Sequence, residues 1–235
     1  MNNATFHETF QSLSTPLITD ACLRLKIPLR IAPAGIQAIP PDTKIAGQVL
    51  PAQHYGSVDI FIEVLASAQT GDILVIDNNG RTDEACIGDL IVLEARYRKT
   101  AGIVVWGLHR DSAELADIDL PVFSYGSYPS GPVRLDPRPA NATQTASFGQ
   151  HQVTRDDVVF ADHDGVIFVP LEDVQNVLET ARTIYHRERN QADTVQAGVP
   201  LYEQLQFADY LNKRQQNPAY TFRRHLRILN GEIEE

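Results

Sequence analysis

Cysteine, methionine and tryptophan are scarce in this chain, at two, one and one among 235 residues. Two cysteines, Cys22 and Cys86, cannot build a disulfide framework or a zinc knuckle, so they read as packed thiols. Basic charge is short as well: twenty Lys and Arg face thirty Asp and Glu, for a formal charge of −10, and no Lys/Arg cluster forms a stripe that could track phosphates. Direct nucleic-acid binding is therefore not expected. A small anionic substrate stays open, because a local arginine, a metal ion and backbone N–H groups set the field inside a cleft. No apolar run approaches membrane-spanning length, and the N-terminus, Met-Asn-Asn-Ala-Thr-Phe-His-Glu, lacks the basic start and apolar core of an export signal. A cytoplasmic protein without membrane contact is the expectation. No internal repeat or low-complexity segment appears.

What is present is globular: 43% hydrophobic and 21% charged residues suit one domain of ordinary size. We expect an α/β domain over residues 1–192 and a helical extension over 193–235. Ser14-Thr15-Pro16 offers a hydroxyl cap and a first-turn proline for a helix running to about Lys26. Lys44 to Leu50 reads as a strand, and the loop after it carries His54, expected to be structural. Residues 60, 61, 64, 65 and 68 make the stripe of a helix over Ser57 to Gln69, and Ile73-Leu-Val-Ile76 is a strand buried on both faces.

A helix over Gly88-Asp89 to Lys99 is expected to carry Leu90, Leu93 and Tyr97 on one face. Ile103 to Val105 and Val122 to Ser124 are further strands, with a short helix over Ala113 to Ala116 capped by Asp111 or Ser112. This βαβαβ rhythm predicts mixed α/β architecture. From Asn141 to Pro170 the pattern turns β-rich. Asp162-His-Asp-Gly165 between two apolar strands reads as a hairpin turn rather than a metal site. Leu171 to Ala192 is a long helix. Shorter amphipathic helices follow Gly198, and their aromatic residues are expected to be buried by docking on a subunit surface.

The stretch from Asp77 to Asp111 organises the rest. It reads as strand end, Asp77-Asn-Asn-Gly-Arg81 loop, helix from Gly88-Asp89, strand, and a second loop ending in Arg110-Asp111. The twenty residues between Asp89 and Arg110 amount to one helix plus one strand, so both loops can meet at one end of a sheet. That would place two carboxylates and a guanidinium in one cleft, beside the anion-friendly N-terminus of a helix.

This Asp-x20-Arg-Asp pattern, with Glu114 three residues further on, resembles the family of the ribonuclease-activity regulator RraA and the divalent-metal-dependent 4-hydroxy-4-methyl-2-oxoglutarate aldolases. The resemblance extends through Thr15 to Ala21, Thr70-Gly-Asp-Ile-Leu-Val-Ile-Asp77, Leu120-Pro-Val-Phe-Ser124 and Asp157 to Pro170. It implies an RraA-like swivelling β/β/α fold, similar to phosphohistidine domains, assembled as a homotrimer or homohexamer with its active site between subunits.

The resemblance also implies roles. Asp111 would hold Mg²⁺ or Mn²⁺ directly and Asp89 through water, a ligand set usual for magnesium. Arg110 would stabilise a keto or enolate oxygen, and N–H groups around Gly88, Asp89 and Leu90 would hold the carboxylate of an α-keto acid. Arg81 is a candidate for the distal carboxylate of a dicarboxylic substrate, and Glu188 is the best match to a glutamate that similar proteins supply from a neighbouring subunit. No lysine sits in either loop, which speaks against a Schiff base. Trp106 and Leu108-His109 depart from the small residues common there, and His109 is expected to be structural. Two readings follow: a lyase cleaving a 4-hydroxy-2-oxo acid to pyruvate, with oxaloacetate decarboxylation on the side, or a non-enzymatic regulator of a ribonuclease.

Overall fold

The computed structural model describes residues 2–229; the last six residues of the expected helical extension lie outside them. In chain order the elements begin with α1 (Asn3–Phe10), α2 (Thr15–Leu25), β1 (Gln37–Ile39), β2 (Ile45–Gln53), α3 (Asp59–Ala66), β3 (Ile73–Asp77) and β4 (Ala85–Ile87). They continue with α4 (Asp89–Tyr97), β5 (Gly102–Trp106), β6 (Leu108–His109), α5 (Ser112–Asp117), β7 (Val122–Ser124), β8 (Ala146–Phe148), β9 (His151–Val153), β10 (Asp157–Asp162) and β11 (Gly165–Pro170). Four helices close the described chain: α6 (Val174–Gln196), α7 (Leu201–Gln204), α8 (Phe207–Gln216) and α9 (Phe222–Leu229). By contact density the chain forms two compact units, one of residues 1–16 with 29–175, the other of residues 17–28 with 176 onward.

The first unit is built on a seven-stranded sheet in the order β1-β7-β5-β3-β2-β10-β11. Its centre is parallel, with β2, β3, β5 and β7 side by side, and β1, β10 and β11 pair antiparallel at the two sides. Alternation along the central strands sorts their side chains into two cores. Leu74, Ile76, Ile103 and Val105 pack with α3 and α4, while Ile73, Val75 and Val104 pack with Phe123, Phe148 and Phe168. A strand covered on both faces has no polar side to show, which is why these segments read as continuous apolar runs.

Asp162-His-Asp-Gly165 is the hairpin expected: Asp162 pairs across from Gly165 as β10 turns into β11. Asp162 also has a long-range partner, for its carboxylate accepts hydrogen bonds from the Thr15 backbone N at 2.7 Å and the Thr15 hydroxyl at 2.6 Å. It thus serves the free amide at the start of α2 from 147 residues away.

One expectation needs correction. The buried face of α4 is Ile91, Val92 and Ala95, while Leu90, Leu93 and Tyr97 are 74%, 43% and 78% exposed. The helix is apolar on both sides, so periodicity alone could not say which side meets the sheet. The N-terminal segment forms a helix, α1, that the sequence reading does not include: the Asn2 side chain caps it by accepting from Thr5 N at 3.0 Å, and Phe10 packs edge-on against Phe160 at 5.2 Å.

In the second unit, α6 runs past residue 192 to Gln196. Of the tail aromatics, Tyr210 and Tyr220 are buried within a cluster of the tail's own rings, while Tyr202 is 53% exposed. Tyr210 meets Phe207, Phe222 and His225 at ring distances of 5.2, 4.9 and 5.6 Å. His225 fixes the cluster. Its Nε2 lies 2.9 Å from the Leu205 carbonyl, which can only accept, so Nδ1 is left to accept from the Tyr220 hydroxyl at 3.2 Å.

Candidate active site

The two loops at the carboxyl ends of β3 and β5 meet because a two-stranded parallel ladder zips them together. Ala85 pairs with Leu108 and Ile87 with His109, and Arg110 N donates to Ile87 O at 3.0 Å. Gly88 and Asp89 follow β4 directly, Arg110 and Asp111 follow β6, and the four are thereby brought side by side.

Their spacing is tight. Arg110 Nε stands 3.4 Å from Asp111 Oδ2, and the same oxygen accepts from Asp89 N at 3.3 Å. A Cβ on Gly88 would lie 2.1 Å from Asp111 Oδ2 and 3.2 Å from Arg110 Nε, so the position has room for hydrogen alone. Asp111 itself adopts a left-handed φ of 60° as it caps α5, a conformation that Asp tolerates better than most residues. Two amides expected to receive a substrate carboxylate are already engaged: Asp89 N by Asp111, and Leu90 N by Asp89 Oδ1 at 2.8 Å.

Gly88, Asp89, Leu90 and Arg110 line a cavity of about 290 Å³, with Val58, Ile62, Ile87, Ile91, Gly131 and Pro132 as its largely apolar wall; Asp111 stands behind Arg110 and Asp89 and is not part of that lining. Gly131 comes within 3.3 Å of Arg110 Nη1, measured from where its Cβ would be. Nothing local in the sequence assigned Gly131-Pro132 to this wall, because the segment arrives from a loop without periodic pattern.

His109 is not at the surface of this cavity. It is 2% exposed, with Nδ1 2.7 Å from Ser124 Oγ and Nε2 3.0 Å from Ser112 Oγ. Burial pushes its pKa down and nearby Asp111 opposes this, so it stands as a neutral ring that ties β6 to β7 and to the start of α5. Glu188 lies on α6 in the second unit, where partial burial, and then the charge of Asp20, push its pKa up.

Arg81 is the expected site residue that the structure puts elsewhere. It lines a second cavity of about 390 Å³, together with Gln53, His54, Asp77, Asn79, Trp106, Arg134 and Asp136. Arg81 Nη2 donates to Asp83 at 2.6 Å and its Nε stands 3.6 Å from Glu84. Behind it, the buried Glu84 receives Arg134 at 2.8 Å through Nη2 and 3.1 Å through Nε, a forked pair that sequence reading missed because its partners are fifty residues apart. Trp106 faces this second cavity too, its indole N–H donating to Tyr125 Oη at 3.2 Å.

Among the described residues there is no group of three or more His, Cys, Asp or Glu side chains that could hold a metal ion. A hard ion that keeps most of its water needs only one or two carboxylates, the number that Asp111 and Asp89 offer. The donors present fit magnesium or manganese and do not fit a closed zinc site.

Residues 15–168 match the RraA-like (Aldolase/RraA) family. The chain belongs to the RraA-like family. It is 30% identical over 149 residues to a Bacillus anthracis protein named "Putative 4-hydroxy-4-methyl-2-oxoglutarate aldolase", covering 63% of this chain and 92% of that one. Among solved structures, an uncharacterised Pseudomonas syringae protein superposes with a TM-score of 0.72 at 22% identity, over 83% of this chain and 94% of that one, a likeness of fold. Streptomyces coelicolor RraAS2, described as an unusual member of the RNase ES inhibitor RraA family, gives 0.64 at 25% identity, over 80% and 96%. The RraA-like fold expected from the sequence is thus the fold observed. No helix among the described residues is long and apolar enough to cross a membrane.

Proposed function

We propose that this RraA-like protein is a divalent-metal-dependent lyase that cleaves a 4-hydroxy-2-oxo acid to pyruvate and a carbonyl product, with oxaloacetate decarboxylation as a side activity. The observation that carries the reading is the meeting of Asp89 and Arg110 at one cavity with Asp111 against both, held by the β4–β6 ladder. Relatives named as aldolases, such as the Bacillus anthracis protein, point the same way.

Cleavage breaks the C3–C4 bond and sends its electron pair toward the 2-keto oxygen, so the site must stabilise negative charge on that oxygen. Arg110, half exposed and facing the cavity, supplies a fixed guanidinium whose N–H groups can donate to it. Asp111 would hold Mg²⁺ or Mn²⁺ directly and Asp89 through water. When bound, the ion adds Lewis-acid polarisation of the keto group. The apolar wall excludes water around the reacting carbons and strengthens these interactions. Glu188 of a neighbouring subunit is the proposed further acid–base group.

An oligomer fits the exposed stripe of Leu90, Leu93 and Tyr97 on α4, which joins Val58 and Ile62 beside the cavity; a row of large apolar side chains at helical spacing marks a surface to be covered. We therefore propose a homotrimer or homohexamer in the cytoplasm.

The second reading, a regulator that binds a ribonuclease, is favoured by the likeness to RraAS2. It needs a surface and no chemistry. The discriminating assay is pyruvate release from a panel of 4-hydroxy-2-oxo acids. Turnover should vanish in excess chelator and return with Mg²⁺ or Mn²⁺; undiminished turnover in chelator, or no turnover on any member of the panel, would remove the metal-dependent lyase.

A further inference from the structure

The lining of the Arg110 cavity limits what the far end of a substrate can be, an inference that rests on the lyase reading. Among the described residues, Arg110 and Asp89 are the only charged side chains in that lining. They stand together, since Asp111 Oδ2 accepts from Asp89 N at 3.3 Å and lies 3.4 Å from Arg110 Nε. Val58 and Ile62, one turn apart at the start of α3, join Leu90, Ile91 and Pro132 to make the apolar face. A molecule whose keto oxygen is on Arg110 must lay the rest of itself against that face.

The far end of a 4-hydroxy-2-oxo acid is whatever C4 carries, either a second carboxylate or an uncharged group. A carboxylate taken out of water against aliphatic side chains needs a cation or several N–H donors. Neither is at hand. Arg110 is committed to the keto end, and Asp89 is itself an anion. The arginines that neighbour the wall in sequence are engaged elsewhere. Arg134, two residues past Pro132, forks onto Glu84 at 2.8 and 3.1 Å and also meets Asp136. Arg81 donates to Asp83 at 2.6 Å and lines the other cavity. Arg138 reaches Glu63, the residue after Ile62, at 2.7 Å. The first amides of α4 offer no replacement, because Asp89 N donates to Asp111 and Leu90 N to Asp89.

We infer that this site takes 4-hydroxy-2-oxo acids whose C4 carries a short aliphatic group, and selects against those that carry a second carboxylate. A methylene that reaches the wall is worth about fourfold in binding. The cavity, at about 290 Å³, lies near the lower end of the roughly 300–1,000 Å³ usual for ligand pockets, which keeps the group short. The retro-aldol step is the same for either class. The C4 hydroxyl gives its proton to a base and its oxygen becomes the aldehyde carbonyl; the C3–C4 electron pair moves into the enolate, and a proton returned to C3 completes pyruvate. Oxaloacetate decarboxylation is compatible with this selection, because the carboxylate placed on the wall leaves as uncharged CO₂, a loss that apolar surroundings favour.

The test uses pairs that differ only in CH(CH₃)₂ for CO₂⁻. With the full-length protein and Mg²⁺, pyruvate release from 4-hydroxy-5-methyl-2-oxohexanoate is compared with release from 4-hydroxy-2-oxoglutarate. In parallel, calorimetry compares binding of the uncleavable 5-methyl-2-oxohexanoate with that of 2-oxoglutarate. The isopropyl member should lead by about tenfold or more in both kcat/KM and affinity, the worth of two buried methyl groups. Ile62→Arg, on a half-exposed side chain, should shift both ratios toward the dicarboxylate by about tenfold, with Val58→Arg in its place if the first changes the oligomeric mass. An equal or better dicarboxylate in either measurement, binding of neither analogue, or ratios unmoved by the new arginine would each overturn the inference. Failure of the lyase reading looks different: no acid is turned over, yet 5-methyl-2-oxohexanoate still binds more tightly than 2-oxoglutarate, and the selection by the wall stands.

Discussion

Two cavities open on the same α/β unit, and they are opposites in make-up. The one at Arg110 has an apolar wall with a few charged groups at its mouth; the one at Arg81 is polar nearly all round, with its charges paired among themselves. The first arrangement leaves the Arg110 guanidinium and the Asp89 carboxylate, with Asp111 against both, beside a poorly hydrated space, which suits chemistry. The second spends its charges on one another, Arg134 on Glu84 and Asp136 and Arg81 on Asp83 and Glu84, which leaves them less free to act on a bound molecule. Both lie where strands β3 and β5 end, and what separates them is small: the β4–β6 ladder turns Asp89 and Arg110 toward one, while the turn before β4 sends Arg81 to the other.

That contrast can be broken most forcefully at Glu84. Its carboxylate is 5% exposed and takes the Arg134 fork, so Glu84→Gln should lower unfolding stability by about 2 kcal/mol; this is less than for a fully buried pair, because Arg134 keeps Asp136 and some solvent. Denaturant unfolding checks it, and pyruvate release by the folded variant should change little. The converse substitution is Gly88→Ala. Its φ of −144° suits any residue, but the new methyl would collide with Asp111 Oδ2, so turnover should fall about tenfold or more from a misplaced carboxylate while the unfolding midpoint barely moves. Kinetics and denaturant melts on one preparation would separate the two effects.

The smallest effect is in pH. Burial holds His54 below its ordinary pKa of about 6.5, so the unfolded chain takes up a proton that the folded one refuses. Stability is therefore complete above about pH 6.5 and falls as the pH drops below it, by at most about 1.4 kcal/mol per pH unit for one proton. Melting temperatures at neutral and mildly acid pH should differ less in His54→Phe than in the parent; equal slopes would show that His54 is not the group responsible.

How much of this was legible in the sequence follows from range. The parallel strands, the helix after Gly88 and the Asp162–Gly165 hairpin were readable, because each is set by local pattern: apolar runs, a helix opening, a turn between two strands. The meeting of Asp89 with Arg110 and Asp111 was readable from spacing and resemblance. The β4–β6 ladder that causes it was not, since strands as short as Ala85–Ile87 and Leu108–His109 have no periodicity to detect. That Arg81 lines a different cavity from Arg110 was not readable for the same reason. The exposed face of α4 could not be told from the buried one, and the pairing of Arg134 with Glu84 across fifty residues left no trace in either segment.

The most direct test of the central claim compares pyruvate release by the parent, Arg110→Lys and Arg81→Ala on one 4-hydroxy-2-oxo acid with Mg²⁺ present. Lysine keeps the charge of Arg110 and loses its planar fork, so kcat should fall by roughly 100-fold, as for a lost oxyanion donor, whereas Arg81→Ala should turn over like the parent. Parent-like turnover by Arg110→Lys, or a comparable loss in Arg81→Ala, would contradict the assignment of chemistry to the Arg110 cleft.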